Sequence, residues 1–179
     1  KPEPKWETVL DLDALNKAEG ENWVWHGANC LRPEYNRCLI ALSRGGADAD
    51  VTREFDISKK DWIKDGFFRA EAKGGLGWID QNNVFVYTDF GPGSMTTSGY
   101  PRVVKRWQRG TPLAAAKLVA QGKSEDVRMG ATVVVDGDRQ WPLVLRGLDF
   151  YHTQVSHVAS DGKLVRSPLP DDAVIEDIV

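Results

Sequence analysis

The chain has 179 residues, of which 41% are hydrophobic and 27% charged, and its formal net charge at pH 7 is −3. This composition is typical of one globular domain and excludes disordered, collagen-like and disulfide-scaffold proteins. With 23 basic against 26 acidic side chains, the charge gives no reason to expect a nucleic-acid partner. No apolar run approaches the roughly 18 residues of a membrane-spanning helix, so we expect no membrane partner either.

The first 21 residues differ from the rest and are interpreted as a linker at residues 1–5 followed by a short helix. Aspartates suited to capping precede the helix, Gly20 follows it, and Leu12 and Leu15 share one face. The pattern predicts a helix over residues 13–19.

From Trp23 onward, short apolar and β-branched runs alternate with polar turn clusters, which is typical of an all-β fold. The runs are Trp23–Trp25, Leu39–Leu42, Val84–Tyr87, Val103–Trp107, Thr132–Val135 and Leu143–Leu145. Residues 113–119 fit a short helix and a short strand equally well. The sequence lacks the alternation of strands and helices that would predict a parallel sheet.

Similar segments begin at Val51, Arg102 and Thr153, which lie 51 residues apart, and each follows an apolar strand and precedes a polar turn. A repeat near 50 residues with four short strands per unit is typical of a propeller blade. We therefore predict a partial β-propeller of about three four-stranded antiparallel blades. The predicted blades are residues 22–73, 74–123 and 124–170, and a fourth begins at 171–179.

Such a chain is too short to close a ring. Closed propellers have about four to eight blades, whereas this chain holds about three and a half repeats. An open arc leaves blade faces and strand edges uncovered. Either the chain is part of a longer protein or copies of it associate with one another.

Several stretches resemble the N-terminal propeller of bacterial prolyl oligopeptidase family serine peptidases. They are residues 19–29 (Glu-Gly-Glu-Asn-Trp-Val-Trp-His-Gly-Ala-Asn), 53–56 (Arg-Glu-Phe-Asp), 88–107 and 109–113 (Arg-Gly-Thr-Pro-Leu). The resemblance covers nearly the whole chain, and residues 89–107 are its most specific part. It implies a seven-bladed propeller that caps an α/β-hydrolase domain carrying a Ser-Asp-His triad later in the chain.

The resemblance implies that the parent protein hydrolyses peptide bonds through an acyl-enzyme and that the propeller restricts access to short peptides. The hydrolase nucleophile lies in Gly-x-Ser-x-Gly, and neither Ser94 nor Ser98 has those neighbours. We therefore assign no catalytic, cofactor-binding or metal-binding residue. The expected partners are a peptide substrate and the missing hydrolase domain. The alternative is a stand-alone propeller that binds a protein or peptide and is completed by self-association.

Two neighbouring segments are candidates for contact with substrate or with the missing domain. Residues 91–100 are predicted to form a long projecting loop that includes Ser94 and Tyr100, either as a contact element or as a structural insertion. The basic stretch after the loop is interpreted as a blade strand with a solvated face. Alternatively, Arg102, Lys105 or Arg106 faces the channel or the hydrolase and steers an anionic peptide terminus.

Cys30 and Cys38 flank a turn, so they are expected on neighbouring strands as reduced thiols, with a cross-strand disulfide as the alternative. His152 and His157 are five residues apart and would point to opposite faces of a strand, which disfavours a shared metal. His26 is expected to form a hydrogen bond at a strand edge.

Aspartate pairs at residues 48 and 50, 136 and 138, and 171 and 172 are interpreted as turn residues. The seven tryptophans are interpreted as core filler between blades, with an exposed aromatic cage as the alternative.

Overall fold

The computed structural model describes residues 3–170, 172 and 174–175. Over these residues it has one short N-terminal α-helix and three antiparallel sheets, which confirms the predicted all-β partial propeller. The elements are α1 (Leu12–Glu19), β1 (Trp23–Cys30), β2 (Arg37–Arg44), β3 (Asp50–Asp56), β4 (Asp61–Trp62), β5 (Phe68–Ala72), β6 (Gly75–Asp80), β7 (Asn83–Tyr87), β8 (Val103–Gln108), β9 (Lys117–Gln121), β10 (Arg128–Asp136), β11 (Arg139–Gly147), β12 (Thr153–Val158) and β13 (Leu164–Arg166).

Each sheet is formed by consecutive strands, so we name the sheets blade 1 (β1–β5), blade 2 (β6–β9) and blade 3 (β10–β13). The segments that recur every 51 residues coincide with the third strands of the three blades, β3, β8 and β12. The predicted start of a fourth blade at residues 171–179 lies largely outside the described residues, and the predicted blade boundaries stay predictions.

Helix α1 begins one residue before the predicted start and is held by the caps that its sequence supplies. The Asp11 carboxylate accepts a hydrogen bond from the Ala14 amide at 3.0 Å. Gly20 ends the helix with a φ of 68°, a left-handed conformation that glycine adopts readily.

The blades pack face to face, which explains why the central strands β2 and β7 contain consecutive buried apolar residues rather than an alternating pattern. On β2, Leu39 packs toward blade 2, whereas Ile40 points the other way. On β7, Val84 and Val86 face blade 1 and Phe85 faces blade 3. The core therefore consists of layers between the blades rather than one central cluster.

The outer face of blade 1 is covered by the segment that precedes it. Val9, Leu10, Leu12 and Leu15 pack against the face that contains Leu42, which is fully buried. Both end blades were expected to be uncovered, and that expectation is wrong for blade 1 because the N-terminal segment closes its face.

The structure joins Cys30 and Cys38 in a disulfide, so the predicted reduced thiols are wrong and the alternative holds. The predicted location is confirmed, because the two cysteines are direct register partners on β1 and β2. In that arrangement the two side chains point to the same side of the sheet.

Two further expectations need correction. Asp50 is not a turn residue: it begins β3, where it is buried. The tryptophans are core filler only in part, since three of them are exposed: Trp6, Trp25 and Trp141. Residues 113–119 combine both predicted forms, with a 3₁₀ turn at Leu113–Ala115 followed by the start of β9.

Candidate functional site

The predicted contact loop lies across the neighbouring blades instead of projecting from the propeller. The Tyr100 hydroxyl donates to Asp48 of blade 1 at 3.0 Å, and the Lys73 ammonium lies 4.2 Å from the centre of the Tyr100 ring. On the other side, the Thr97 amide donates to the Ser124 carbonyl at 2.8 Å, just before blade 3. The loop thus bridges from blade 1 to the start of blade 3.

Ser94 and Arg102 hold this loop in shape. The Ser94 side chain is buried, where its hydroxyl accepts from the Phe90 amide at 2.8 Å and donates to the Gly91 carbonyl at 2.7 Å. Arg102 donates to the Gly93 carbonyl at 2.7 Å and to the Gly122 carbonyl at 3.1 Å. Both side chains are therefore committed to the fold.

Lys105 and Arg106 lie on β8, as predicted for a blade strand. The Lys105 ammonium is 4.1 Å from the centre of the Phe90 ring. Arg106 is exposed and donates to the Asn83 side-chain oxygen at 3.0 Å. Neither side chain meets the other predicted contact residues, and the contact role of all five residues stays a prediction.

A buried ion pair that the sequence did not predict lies inside blade 1. The Asp50 carboxylate pairs with the Arg69 guanidinium, whose second nitrogen donates to the Ala72 carbonyl at 2.8 Å. The Thr52 hydroxyl donates to Asp50 at 3.1 Å. His26 lies at a bulge in β1, an edge strand, and its Nδ1 is 3.0 Å from Asp50, which confirms the expected hydrogen bond at a strand edge.

A second buried carboxylate, Glu54, links blade 1 to blade 2. Its side chain is fully buried and faces Arg37 at 3.2 Å and Arg109, in the turn after β8, at 2.8 and 2.9 Å. It also accepts from the Phe67 amide at 2.9 Å, in the gap between β4 and β5. The sequence did contain a signal for this pair, because Glu54 and Arg109 belong to two of the stretches that carry the family resemblance.

The first strands of successive blades approach one another, and a cavity of about 480 Å³ opens beside them. Its polar lining includes Asn29 from blade 1, Tyr87 from blade 2, and Arg128, Thr132 and Thr153 from blade 3. No pattern in the sequence indicates this cavity, because its lining residues come from three different blades.

The described part of the chain has no group of three or more His, Cys, Asp or Glu side chains that could hold a metal ion. His152 bonds Asp149 at 2.7 Å, whereas the His157 ring packs edge-on against Trp141. Within the described residues, no helix has the length and apolar character needed to cross a membrane.

Three sequential antiparallel blades with face-to-face cores define the class of this protein as a β-propeller. The family model described as prolyl oligopeptidase, N-terminal beta-propeller domain, matches residues 1–163. The chain therefore belongs to that family.

The uncharacterized peptidase y4nA of Sinorhizobium fredii is 43% identical over 176 residues, which are 96% of this chain and 24% of that protein. The uncharacterized peptidase RP174 of Rickettsia prowazekii is 27% identical over 190 residues, covering 98% of this chain and 26% of that protein. The solved structure of a post-proline cleaving enzyme from Rickettsia typhi superposes with a TM-score of 0.86 at 26% identity, covering 95% of this chain and 26% of that one. This chain thus spans about a quarter of the length of each of these proteins.

Proposed function

We propose that this chain forms the first blades of the propeller in a longer serine peptidase of the prolyl oligopeptidase type, and that it carries no catalytic residue itself. The observation that carries this proposal is the family match over residues 1–163, combined with relatives named as peptidases that are about four times as long. The sequence contains no Gly-x-Ser-x-Gly, which an α/β-hydrolase needs to present its nucleophile. The bond-breaking domain then lies elsewhere in the parent protein.

The role of these blades in the parent is to restrict substrate access, so that short peptides are cleaved in preference to folded proteins. The links between blades support this role. Glu54 and Arg109 join blades 1 and 2, and the loop at residues 91–100 bridges from blade 1 to the start of blade 3. Blades that are linked to one another at several positions keep the entrance to the active site narrow.

Among the predicted contact residues, Tyr100, Lys105 and Arg106 are the ones proposed to meet substrate or the hydrolase domain. Each of them keeps part of its side chain accessible. Ser94 and Arg102 contribute indirectly, because they fix the shape of the loop that carries Tyr100.

A fluorophosphonate probe, which labels activated serine nucleophiles, tests whether the nucleophile lies outside this chain. The isolated chain should remain unlabelled, whereas the protein encoded by the complete gene should be labelled at one serine beyond Val179. The gene should encode Gly-x-Ser-x-Gly downstream, followed by Asp and His. Stoichiometric labelling of the isolated chain, or a stop codon shortly after Val179, contradicts the proposal.

A second candidate is a propeller module completed by self-association, and the outer face of blade 3 favours it. By strand register, Val134, Trp141, Leu143 and Val165 lie on the face opposite the one that packs on blade 2. Trp141 is 43% and Val165 55% exposed. Sedimentation analysis of the isolated chain at micromolar concentration should show association, and a clean monomer contradicts this candidate.

A further inference from the structure

The wall of the cavity of about 480 Å³ beside the first strands of the blades is mostly uncharged. Among the described residues that line it, Arg128 is the one charged side chain. The other polar side chains on the wall, those of Asn29, Tyr87, Thr132 and Thr153, are neutral and can each donate a hydrogen bond. The lining therefore offers one positive charge among neutral donors.

Within the described part of the chain, Arg128 makes no ion pair or side-chain hydrogen bond, although carboxylates are near it in sequence. Asp126 accepts from Arg146 at 2.8 and 2.9 Å and from the Lys123 amide at 2.6 Å. Glu125 bonds the Ser124 hydroxyl at 2.8 Å. The neighbouring acids are thus engaged elsewhere, and the guanidinium keeps its full hydrogen-bonding capacity.

Tyr87 lines this cavity and also an adjoining pocket that includes Gly75, and its hydroxyl lies beside Gly75. A Cβ atom on Gly75 would lie 2.7 Å from that hydroxyl, and one on Gly130 would lie 3.9 Å from the ring, so two glycines make room for the side chain. Among the described residues the hydroxyl has no hydrogen-bond partner. Burial raises the pKa of the Tyr87 phenol, which therefore stays protonated and able to donate at neutral pH.

We propose that this cavity binds a carboxylate group of a peptide, with the Arg128 guanidinium as its ion-pair partner and the Tyr87 hydroxyl as a second donor. A guanidinium matches the planar carboxylate with two parallel hydrogen bonds. The assignment rests on the proposed function, in which the propeller handles peptides. The carboxylate comes either from the C-terminus of the peptide or from an acidic side chain.

Titration of the ¹⁵N-labelled chain with three small peptides tests the assignment. N-acetyl-Ala-Ala carries a C-terminal carboxylate, N-acetyl-Ala-Ala amide carries none, and N-acetyl-Glu-Ala amide carries one on its side chain. We expect saturable shifts of the amides at residues 128–132 with at least one of the two acidic peptides and none with the neutral one. The acidic peptide that binds more tightly identifies the source of the carboxylate.

Variants separate a binding role from a structural one. Arg128→Gln should weaken binding by about tenfold or more, and Arg128→Lys should weaken it less because the charge remains. Tyr87→Phe should weaken binding severalfold while leaving the unfolding midpoint unchanged, since the hydroxyl has no partner in the fold. Arg139→Gln, at an exposed arginine of the same blade that does not line the cavity, is the matched control and should bind like the wild type.

Equal binding of the neutral and acidic peptides, or unchanged binding by Arg128→Gln, overturns the proposal. So does saturation by inorganic phosphate when no peptide produces shifts. The fluorophosphonate experiment is independent of this titration: labelling of the isolated chain would overturn the proposed function and leave the cavity result standing.

Discussion

Replacement of Glu54 by Gln should destabilise the chain far more than the loss of one surface charge. The substitution preserves the shape of the side chain but removes the negative charge that faces Arg37 and Arg109. It also turns an amide donor toward groups that are themselves donors, including the Phe67 amide. Two guanidinium groups are left without their counter-charge at the junction of two blades.

The size of the effect follows from the burial of the three side chains. Breaking a buried ion pair from one side costs about 3–5 kcal/mol. The Glu54 side chain is 0% exposed, whereas those of Arg37 and Arg109 are 32% and 21% exposed, so both cations regain some hydration. We therefore expect the lower end, about 3 kcal/mol. In a domain of this size such a loss lowers the unfolding midpoint by about 6–12 °C.

Urea unfolding followed by tryptophan fluorescence measures this loss, with Glu71→Gln as the matched control. Glu71 pairs with Arg44 at the surface, where both side chains are more than a third exposed, so its loss should change the free energy of unfolding by less than about 0.5 kcal/mol. Removal of Arg109 should cost less in the Glu54→Gln background than in the wild type. Equal effects of Glu54→Gln and Glu71→Gln would refute the reasoning.

Three other perturbations test separate parts of the fold. Burial raises the pKa of Asp126, but hydrogen bonds from its arginine partner and from a backbone amide outweigh burial, so the pKa is lowered. The stabilisation by Asp126 should therefore be complete above the ordinary Asp pKa of about 3.9 and be lost as the pH falls through the lowered pKa. Asp126→Asn should accordingly flatten the decline in the free energy of unfolding measured between pH 6 and pH 3. Gly74→Ala places a Cβ atom 2.0 Å from the Tyr87 carbonyl oxygen at a φ of 142°, so it should lower the free energy of urea unfolding by about 3 kcal/mol or more. Its control is Gly137→Ala, in open space at a φ of 56°, which should lower that free energy by about 1 kcal/mol. Equal losses for the two variants contradict this account. Trp141→Glu should shift the isolated chain toward the monomer in sedimentation analysis if blade 3 carries the self-association, and an unchanged distribution excludes that face.

The repeat was predictable because the same physical demand recurs in each blade. A strand between two packed blades needs apolar residues on both faces, and each of the recurring segments at Val51, Arg102 and Thr153 follows such an apolar strand and forms the third strand of its sheet. The short helix was predictable for a similar reason, since its caps are local and act within a few residues.

The features that were not predicted depend on residues distant in sequence. Asp50 read as a turn residue because its partner Arg69 lies 19 positions away and comes beside it only when β5 pairs with β3. Glu54 and Arg109 are 55 positions apart and belong to different blades. The cavity at Arg128 draws on three blades, so no local pattern indicates it.

The covering of blade 1 by Val9, Leu10, Leu12 and Leu15 has a consequence for the order in which the blades fold. Because this segment precedes the blade in sequence, blade 1 can bury its outer surface as soon as it leaves the ribosome, before any later blade has been translated. Each following blade then adds to a finished template at one growing end. Vectorial synthesis and the order of assembly coincide.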